Sequence, residues 1–263
     1  MRLAVVGASG RMGQAVIRLV RAEGSATEIV CAIGTTDIGR DAGEVAGIGA
    51  IGTRVADTLL ALADVRADVV VDFSAPATTV ALAELVATAG SALVSGTTGL
   101  DDDGRMALEA SASRVPVLWE PNMSAGMHVL LRLVAQAVAA LPEWDIEIVE
   151  THHRAKIDAP SGTALRLAEA AKSARSTAAH VVHGRAGRPG PRESSEIGMH
   201  AVRGGDVVGD HVVSLMTQGE RIDLEHRATS RDVFAHGALR AARWIMGRPA
   251  GRYTMRDVLG VKR

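Results

Sequence analysis

Aromatic side chains are nearly missing: Phe, Trp and Tyr make up 2% of the 263 residues. Any core must therefore be filled by Val, Leu, Ile and Ala. Cysteine occurs once, at Cys31, which excludes an intrachain disulfide and points to a reducing compartment. Inside its apolar run Cys31 reads as a small buried hydrophobe. Neither sign of charge dominates, with 29 basic and 30 acidic side chains and a formal net charge of -1. That balance lacks the basic surface of a nucleic-acid binder. The nearest thing to a basic stripe, residues 183–192, is broken by Gly and Pro and is expected to be a mobile loop. No apolar stretch approaches the ~20 residues needed to span a bilayer, so no membrane partner is expected. Met1 leads into a strand pattern rather than a signal peptide, and a cytoplasmic protein is expected.

What is abundant is glycine, 28 residues, set in an ordinary background of 47% hydrophobic and 22% charged positions. The first half alternates short β-rich runs with helical periodicity. Residues 3–6, 29–33, 69–71, 93–94 and 115–118 read as strands. Met12, Ala15, Val16, Leu19 and Val20 recur on one helical face. A helix with Pro76 near its start and another over residues 101–113 follow. Strands apolar throughout require cover on both sheet faces. Strand–helix alternation then predicts an α/β fold, a Rossmann-type doubly wound parallel sheet with right-handed crossovers. Ligands of such sheets collect beyond the carboxyl ends of the strands, where Gly7, Asp72, Gly96 and Asn122 fall.

Near residue 125 the pattern changes. A long apolar helix over residues 127–141, a strand at 146–149 and a helix from about Thr163 precede three β-like runs, 197–202, 207–216 and 221–226. Gln218-Gly219-Glu220 between the last two suggests a hairpin. This predicts a C-terminal α+β domain with a mixed, antiparallel-leaning sheet. Residues 1–124 are expected to form the dinucleotide-binding domain and residues 125–232 the substrate-binding and oligomerisation domain. A last helix over residues 235–246, with the tail to 263, is expected to pack back on the first.

Gly7-Ala8-Ser9-Gly10-Arg11-Met12-Gly13 joins the first strand to the first helix. Glycines allow a sharp turn and close approach to a pyrophosphate, and the helix start offers unpaired N–H groups and partial positive charge. The spacing G-x-x-G-x-x-G differs from the usual fingerprint, and its context gives it weight. The second strand ends at Ile33-Gly34-Thr35-Thr36-Asp37. A ribose-binding carboxylate usually stands at that tip. Here neither a carboxylate nor an arginine does, with Asp37 and Arg40 the nearest. The tip therefore leaves NADH and NADPH open.

The densest chemistry lies in Glu150-Thr151-His152-His153-Arg154-Ala155-Lys156-Ile157-Asp158-Ala159-Pro160-Ser161-Gly162-Thr163-Ala164. Two histidines and a lysine crowd a strand end, and a helix follows with Ser161 or Thr163 as its cap. Histidine titrates near neutrality and can donate a proton. Lysine adds fixed positive charge, and bare helix-start amides suit a carboxylate. Together they fit an anionic substrate. Other readings are a metal site, satisfied surface histidines, a purely structural helix start, and a hydrolytic Ser161. The segment lacks the H-E-x-x-H helix pattern and the G-x-S-x-G elbow, and no metal is expected.

At this segment the chain resembles the 4-hydroxy-tetrahydrodipicolinate (dihydrodipicolinate) reductases of diaminopimelate and lysine biosynthesis. Their H-H-x-x-K-x-D-A-P-S-G-T-A hallmark stands at residues 152–164. The glycine turn with Arg11-Met12, Asp72-Phe73-Ser74, Gly96-Thr97-Thr98-Gly99, Gly205-Asp206-Val207-Val208-Gly209-Asp210-His211 and Met255-Arg256-Asp257-Val258-Leu259 follow in family order.

The resemblance implies an NAD(P)H-dependent oxidoreductase acting on a small cyclic dicarboxylate. It implies His152 as general acid, Lys156 as partner cation, and His153, Ser161, Gly162 and Thr163 as substrate contacts. For the cofactor it implies Gly7, Ala8, Ser9, Gly10, Arg11 and Met12 at the pyrophosphate. Gly34 would stand at the adenosine end, with Gly96, Thr97, Thr98, Pro121, Asn122 and Met123 along the nicotinamide half. It also implies a homotetramer built through the second domain's sheet, and a site that forms from both domains and closes on its ligands. Two positions depart from the family pattern. An acidic residue common at the second strand's tip is replaced by Gly34 or Thr35, and Glu120-Pro121-Asn122-Met123-Ser124 stands where Ala-Asn-Phe is expected. Another Rossmann-type dehydrogenase of an amino-dicarboxylate, or a non-catalytic dinucleotide sensor, are the competing functions. The joint presence of His152, His153 and Lys156 argues against the sensor.

Overall fold

The computed structural model describes residues 1–24 and 26–260. Its first compact unit is Met1–Ala125 together with the chain from Asp232 onward, and its second is Gly126–Arg231.

In chain order the first unit begins with β1 (Arg2–Val6), α1 (Arg11–Glu23), β2 (Glu28–Ile33), α2 (Ala42–Val45) and β3 (Val55–Ala56). β4 (Val69–Asp72), α3 (Pro76–Ala89), β5 (Ala92–Ser95), α4 (Asp102–Ala112) and β6 (Pro116–Trp119) follow. The second unit takes most of α5 (Ala125–Ala140), then β7 (Asp145–His152), α6 (Gly162–Ala174), β8 (His180–His183), β9 (Glu196–Arg203), β10 (Gly209–Thr217) and β11 (Glu220–Ala228). The chain ends with α7 (Asp232–Ile245), β12 (Gly251–Tyr253) and α8 (Met255–Val258) in the first unit.

The first unit holds the expected doubly wound sheet. Its strand order is β3-β2-β1-β4-β5-β6-β12, and every pairing is parallel. The order reverses between β1 and β4, the switch point where such sheets bind ligands. Both faces are covered, as strands without polar alternation demand. One buried cluster joins β1 and β4 residues Leu3, Val5, Val69 and Val71 to Val16 and Ile17 of α1 and Leu239 and Ile245 of α7. The other joins Val6, Val70 and Leu93 to Leu82 and Val86 of α3 and Leu108 of α4. At ~1.5–3 kcal/mol per buried large aliphatic side chain, these two layers supply most of what holds the sheet.

The second unit has strand order β11-β10-β7-β9-β8. The sheet is mixed, as expected, with two pairings of each kind: β10 runs antiparallel to β7 and β11, while β9 runs parallel to β7 and β8. α6 carries the chain back so that β8 starts in the direction of β7, and the segment over residues 184–195 returns it once more before β9. One face is buried under α5 and α6, with Ile146, Ile148, Ile197, Met199, Val213 and Leu215 packed against Met127, Leu130, Val134 and Leu167.

Beyond His183, which ends β8, the basic segment to residue 192 is a loop, as expected, and two of its arginines are anchored to the sheet. Arg185 donates to both carboxylate oxygens of Glu147 at 3.0 Å, and Arg192 reaches Asp145 at 2.6 Å and Glu147 at 3.2 Å. Burial alone would raise the Glu147 pKa, but Arg185, His200 and Arg192 overcome it and pull it down to about 2. A Cβ at Gly198 would overlap the Glu147 carboxylate, so glycine on β9 makes room for that anchor.

α7 sits close against the loop after β6 because it presents glycine there: a Cβ at Gly237 would overlap the Met123 carbonyl oxygen. Gly237→Ala should therefore destabilise the protein by ~1–3 kcal/mol or more, since backbone must move to admit the methyl. Chemical denaturation checks this, and an unchanged midpoint would show that the packing relaxes freely.

Candidate active site

The turn after β1 is built by close backbone approach. Gly7 has φ +82°, and a Cβ there would overlap the Phe73 carbonyl. A Cβ at Gly13 would overlap Gly7. The amides of Gly7 and Ala8 both donate to the Ile33 carbonyl at the end of β2, at 2.9 and 2.8 Å, and Gly10 N–H donates to Gly7. Three of the six residues expected at a pyrophosphate thus spend their N–H groups on the turn itself. The first-turn amides of α1, at Arg11 and Met12, are the ones a helix start leaves without intrahelical acceptors. Ala8 is fully buried in the core.

Gly7, Ser9, Gly10 and Gly34 line one cleft of about 540 Å³, together with Asp57, Phe73, Ser74 and Thr78. Glycine at position 7 is required by the Phe73 backbone behind it, and the cleft in front, next to the first-turn amides of α1, fits a dinucleotide's pyrophosphate. Gly96, Thr97 and Thr98 follow β5, and Pro121, Asn122 and Met123 follow β6, beyond carboxyl ends of the same sheet. Their side chains serve different ends. The Thr97 hydroxyl donates to Asp72 at 3.1 Å, and Met123 is 1% exposed inside the core, so neither is turned outward. Thr98 and Pro121 are exposed, and the Asn122 carbonyl oxygen accepts from Ser124 N–H.

Asp72 organises this edge. Fully buried, it accepts from the Ser74 amide and hydroxyl and from the hydroxyls of Thr79, Ser95 and Thr97. The turn was visible in the sequence; the role of its carboxylate was not, because three of its donors lie on other elements.

In the second unit, Glu150 and His152 alternate onto the buried face of β7. Glu150 is fully buried and is the hub. Its carboxylate accepts two bonds from Arg203 at 2.8 Å, one from Ser161 N–H at 3.0 Å, and pairs with His152 Nδ1 at 2.5 Å. Burial alone would raise its pKa, but Arg203, His152 and the Ser161 amide hold it below the usual carboxylate range. Ser161 caps α6, its hydroxyl accepting from Ala164 N–H at 3.2 Å and lying 3.2 Å from His211 Nε2. The space in front of Gly162, the first residue of that helix, is open. Thr163 follows in the first turn, half-buried.

His152 is itself shifted. Burial pushes its pKa below 6.5, Glu150 opposes, and Lys156 and Arg203 add to the depression. Gly209 leaves it room, since a Cβ there would stand 2.9 Å from His152 Nε2. Lys156 Nζ lies 2.7 Å from Asp158, whose pKa it lowers. His153 is half-buried and its backbone N–H donates to Val207. The structure thus gathers His152, Ser161 and the start of α6 around Glu150, with Lys156 close enough to act on the imidazole. Arg203 and His211 complete the cluster. Sequence reading missed Arg203, because only the β7–β9 register sets it opposite His152. Among the described residues no group of three or more His, Cys, Asp and Glu side chains is placed to hold a metal ion.

Two family models together match almost the whole chain. Residues 1–123 match the model for the dihydrodipicolinate reductase N-terminus and residues 126–259 the model for its C-terminus. The chain belongs to the dihydrodipicolinate reductase family. Among relatives of this reductase family, the 4-hydroxy-tetrahydrodipicolinate reductase of Chromohalobacter salexigens is 45% identical, covering 99% of both chains. That of Alkalilimnicola ehrlichii is 47% identical with the same coverage. A solved dihydrodipicolinate reductase from Paenisporosarcina sp. TG-14, described as dipicolinate-bound, has the same fold, with TM-score 0.78, 24% identity and 97% coverage of each chain.

The buried histidines of this reductase make stability depend on pH. Burial, with help from His152, lowers the His211 pKa from 6.5 to about 4. A base depressed by folding binds fewer protons in the native than in the unfolded chain, so stability falls as pH drops through that window. The His211 share is about 3 kcal/mol at ~1.4 kcal/mol per pH unit. Urea denaturation from pH 7 down to about 4 should show this loss, and His211→Gln should flatten it. An equal slope in both proteins would remove His211 as its source.

Proposed function

We infer that this chain reduces 4-hydroxy-tetrahydrodipicolinate to tetrahydrodipicolinate in diaminopimelate and lysine biosynthesis, with NADH or NADPH as electron donor. The observation that carries this is the full-length family match joined to an imidazole held by a buried carboxylate beside an open helix start. The reaction adds one hydride and one proton to the unsaturated ring system, and water leaves with the 4-hydroxyl group. When bound, the dinucleotide supplies the hydride. The residues for it are Gly7, Ser9, Gly10, Arg11, Met12 and Gly34 in the first unit, with Gly96, Thr98, Asn122 and the backbone of Thr97, Pro121 and Met123 beside them, while the expected Ala8 is buried beneath the turn.

Proton delivery falls to His152. Glu150 engages Nδ1 and fixes the ring, leaving Nε2 to hold the transferable proton. In the free protein burial, Lys156 and Arg203 keep this imidazole largely neutral near pH 7. A doubly anionic substrate opposes those causes and raises the pKa, so substrate binding should take up a proton at the residue that later gives it away. Lys156 and His153 offer positive charge and hydrogen bonds to one carboxylate. The start of α6, at Ser161, Gly162 and Thr163, suits the other.

We also propose a cytoplasmic homotetramer assembled through the second unit's sheet. Supporting this, the face of β7 and β9 away from the helices exposes Val149 and Val202, and the lone Cys31 suits a reducing compartment. Light scattering should give four times the chain mass, and a double Val149→Glu, Val202→Glu variant should give smaller species; a wild-type monomer would refute the assembly.

His152→Gln should lower turnover by ~10²–10⁴-fold while dicarboxylate binding changes little. The wild-type kcat/KM should fall as pH rises through the free-enzyme His152 pKa, below 6.5, and kcat should fall at higher pH. A His152→Gln enzyme with near-normal turnover, or a flat kcat/KM between about pH 5 and 8, excludes His152 as the proton donor.

A further inference from the structure

Resting on the reductase reading above, we propose that Asp57 reads the adenosine ribose and makes this enzyme select NADH over NADPH. In doubly wound sheets the adenosine ribose lies by the tip of the second strand, where a carboxylate accepts from its 2′-hydroxyl or an arginine takes a 2′-phosphate. Here the tip is Gly34, which offers no carboxylate, and a Cβ there would have to displace Ser9 Oγ and would stand 3.0 Å from Val55 Cγ1. The next acidic residue along that loop, Asp37, is engaged by Arg40 at 2.5 Å.

The carboxylate comes instead from the neighbouring strand. Gly34 N–H donates to the Ala56 carbonyl at 2.9 Å, tying the β2 tip to the end of β3. Asp57 is the next residue. It lines the same cleft as Gly7, Ser9, Gly10, Gly34 and Thr35. It is exposed, and among the described residues its carboxylate has neither a hydrogen bond nor an ion-pair partner.

The cations that would accept a 2′-phosphate are placed elsewhere. Among the described residues no Lys or Arg lines this cleft. Arg40 is held by Asp37. Arg54 flanks β3 at its amino end and donates to the Gly39 carbonyl at 3.0 Å. Because β3 runs parallel to β2, that end is opposite to the one carrying Asp57. Arg11 follows Gly10 at the start of α1, on the pyrophosphate side. A ribose diol offers two donors to a free carboxylate, whereas a 2′-phosphate brings like charge against it with no compensating cation.

The test is equilibrium titration of the full-length protein with NADH and NADPH by nicotinamide fluorescence, repeated with ADP and its 2′-phosphorylated analogue. NADH should bind at least ~10-fold more tightly than NADPH, and ADP more tightly than its 2′-phosphate. In Asp57→Asn the NADH preference should collapse, NADH weakening while NADPH holds or improves. Wild-type binding of NADPH as tight as NADH, or a preference that survives Asp57→Asn, overturns the assignment and leaves the reductase reading standing. Failure of both dinucleotides to bind overturns both.

Discussion

The second unit depends on one buried carboxylate. Glu150 stands at the middle strand of its sheet with no solvent to hydrate it, and an isolated ionised group there would cost several kcal/mol. The cost is offset because Arg203, His152 and the Ser161 amide all converge on its two oxygens. Each of these comes from a different stretch of chain: β9, the end of β7, and the cap of α6. Satisfying Glu150 therefore fixes the imidazole, the helix start and the β9 end together. The arrangement is rigid for the same reason that it is needed, since none of the partners can leave without stranding charge.

The first unit repeats this logic with a neutral set of donors. Asp72, at the end of the central β4, gathers three hydroxyls from α3, β5 and the β5–α4 loop and both donors of Ser74. It holds the turns that follow β4 and β5, and the Phe73 ring beside them occupies the space a Cβ at Gly96 would need. In both units, then, the loops proposed to face ligand are positioned from below by a buried carboxylate on a central strand. The residues that face outward need little structural role of their own. Thr97, expected to touch a cofactor, spends its hydroxyl on that support.

Sequence legibility followed the length and periodicity of each element. β1, β2, β4 and α1 were readable because a continuous apolar run, or a 3.6-residue period, is a local property. α2, β3, β8 and β12 are two to four residues long, too short to carry a period, and β8 offers only Val181 and Val182 between histidines. A mixed second sheet was legible, but which pairs run parallel was not, because strand direction belongs to the crossover connections. The anchors of the basic segment over residues 183–192 were not legible, because its composition carries no hint of Glu147, Asp145 and Glu196 across the sheet.

The order of chemical groups along the chain was enough to determine the fold class, the glycine turn, the family and the histidine–lysine segment, because these rest on spacing between near neighbours. Tertiary structure decided which groups are spent and which are available. It turned Met123 and Ala8 into core, brought Arg203 to Glu150 across a strand register, lowered the His152 pKa by burying it, and left Asp57 lining the cleft beside the glycine tip of the second strand. Those outcomes depend on solvent exclusion and on contacts between residues far apart in sequence, and a one-dimensional pattern records neither.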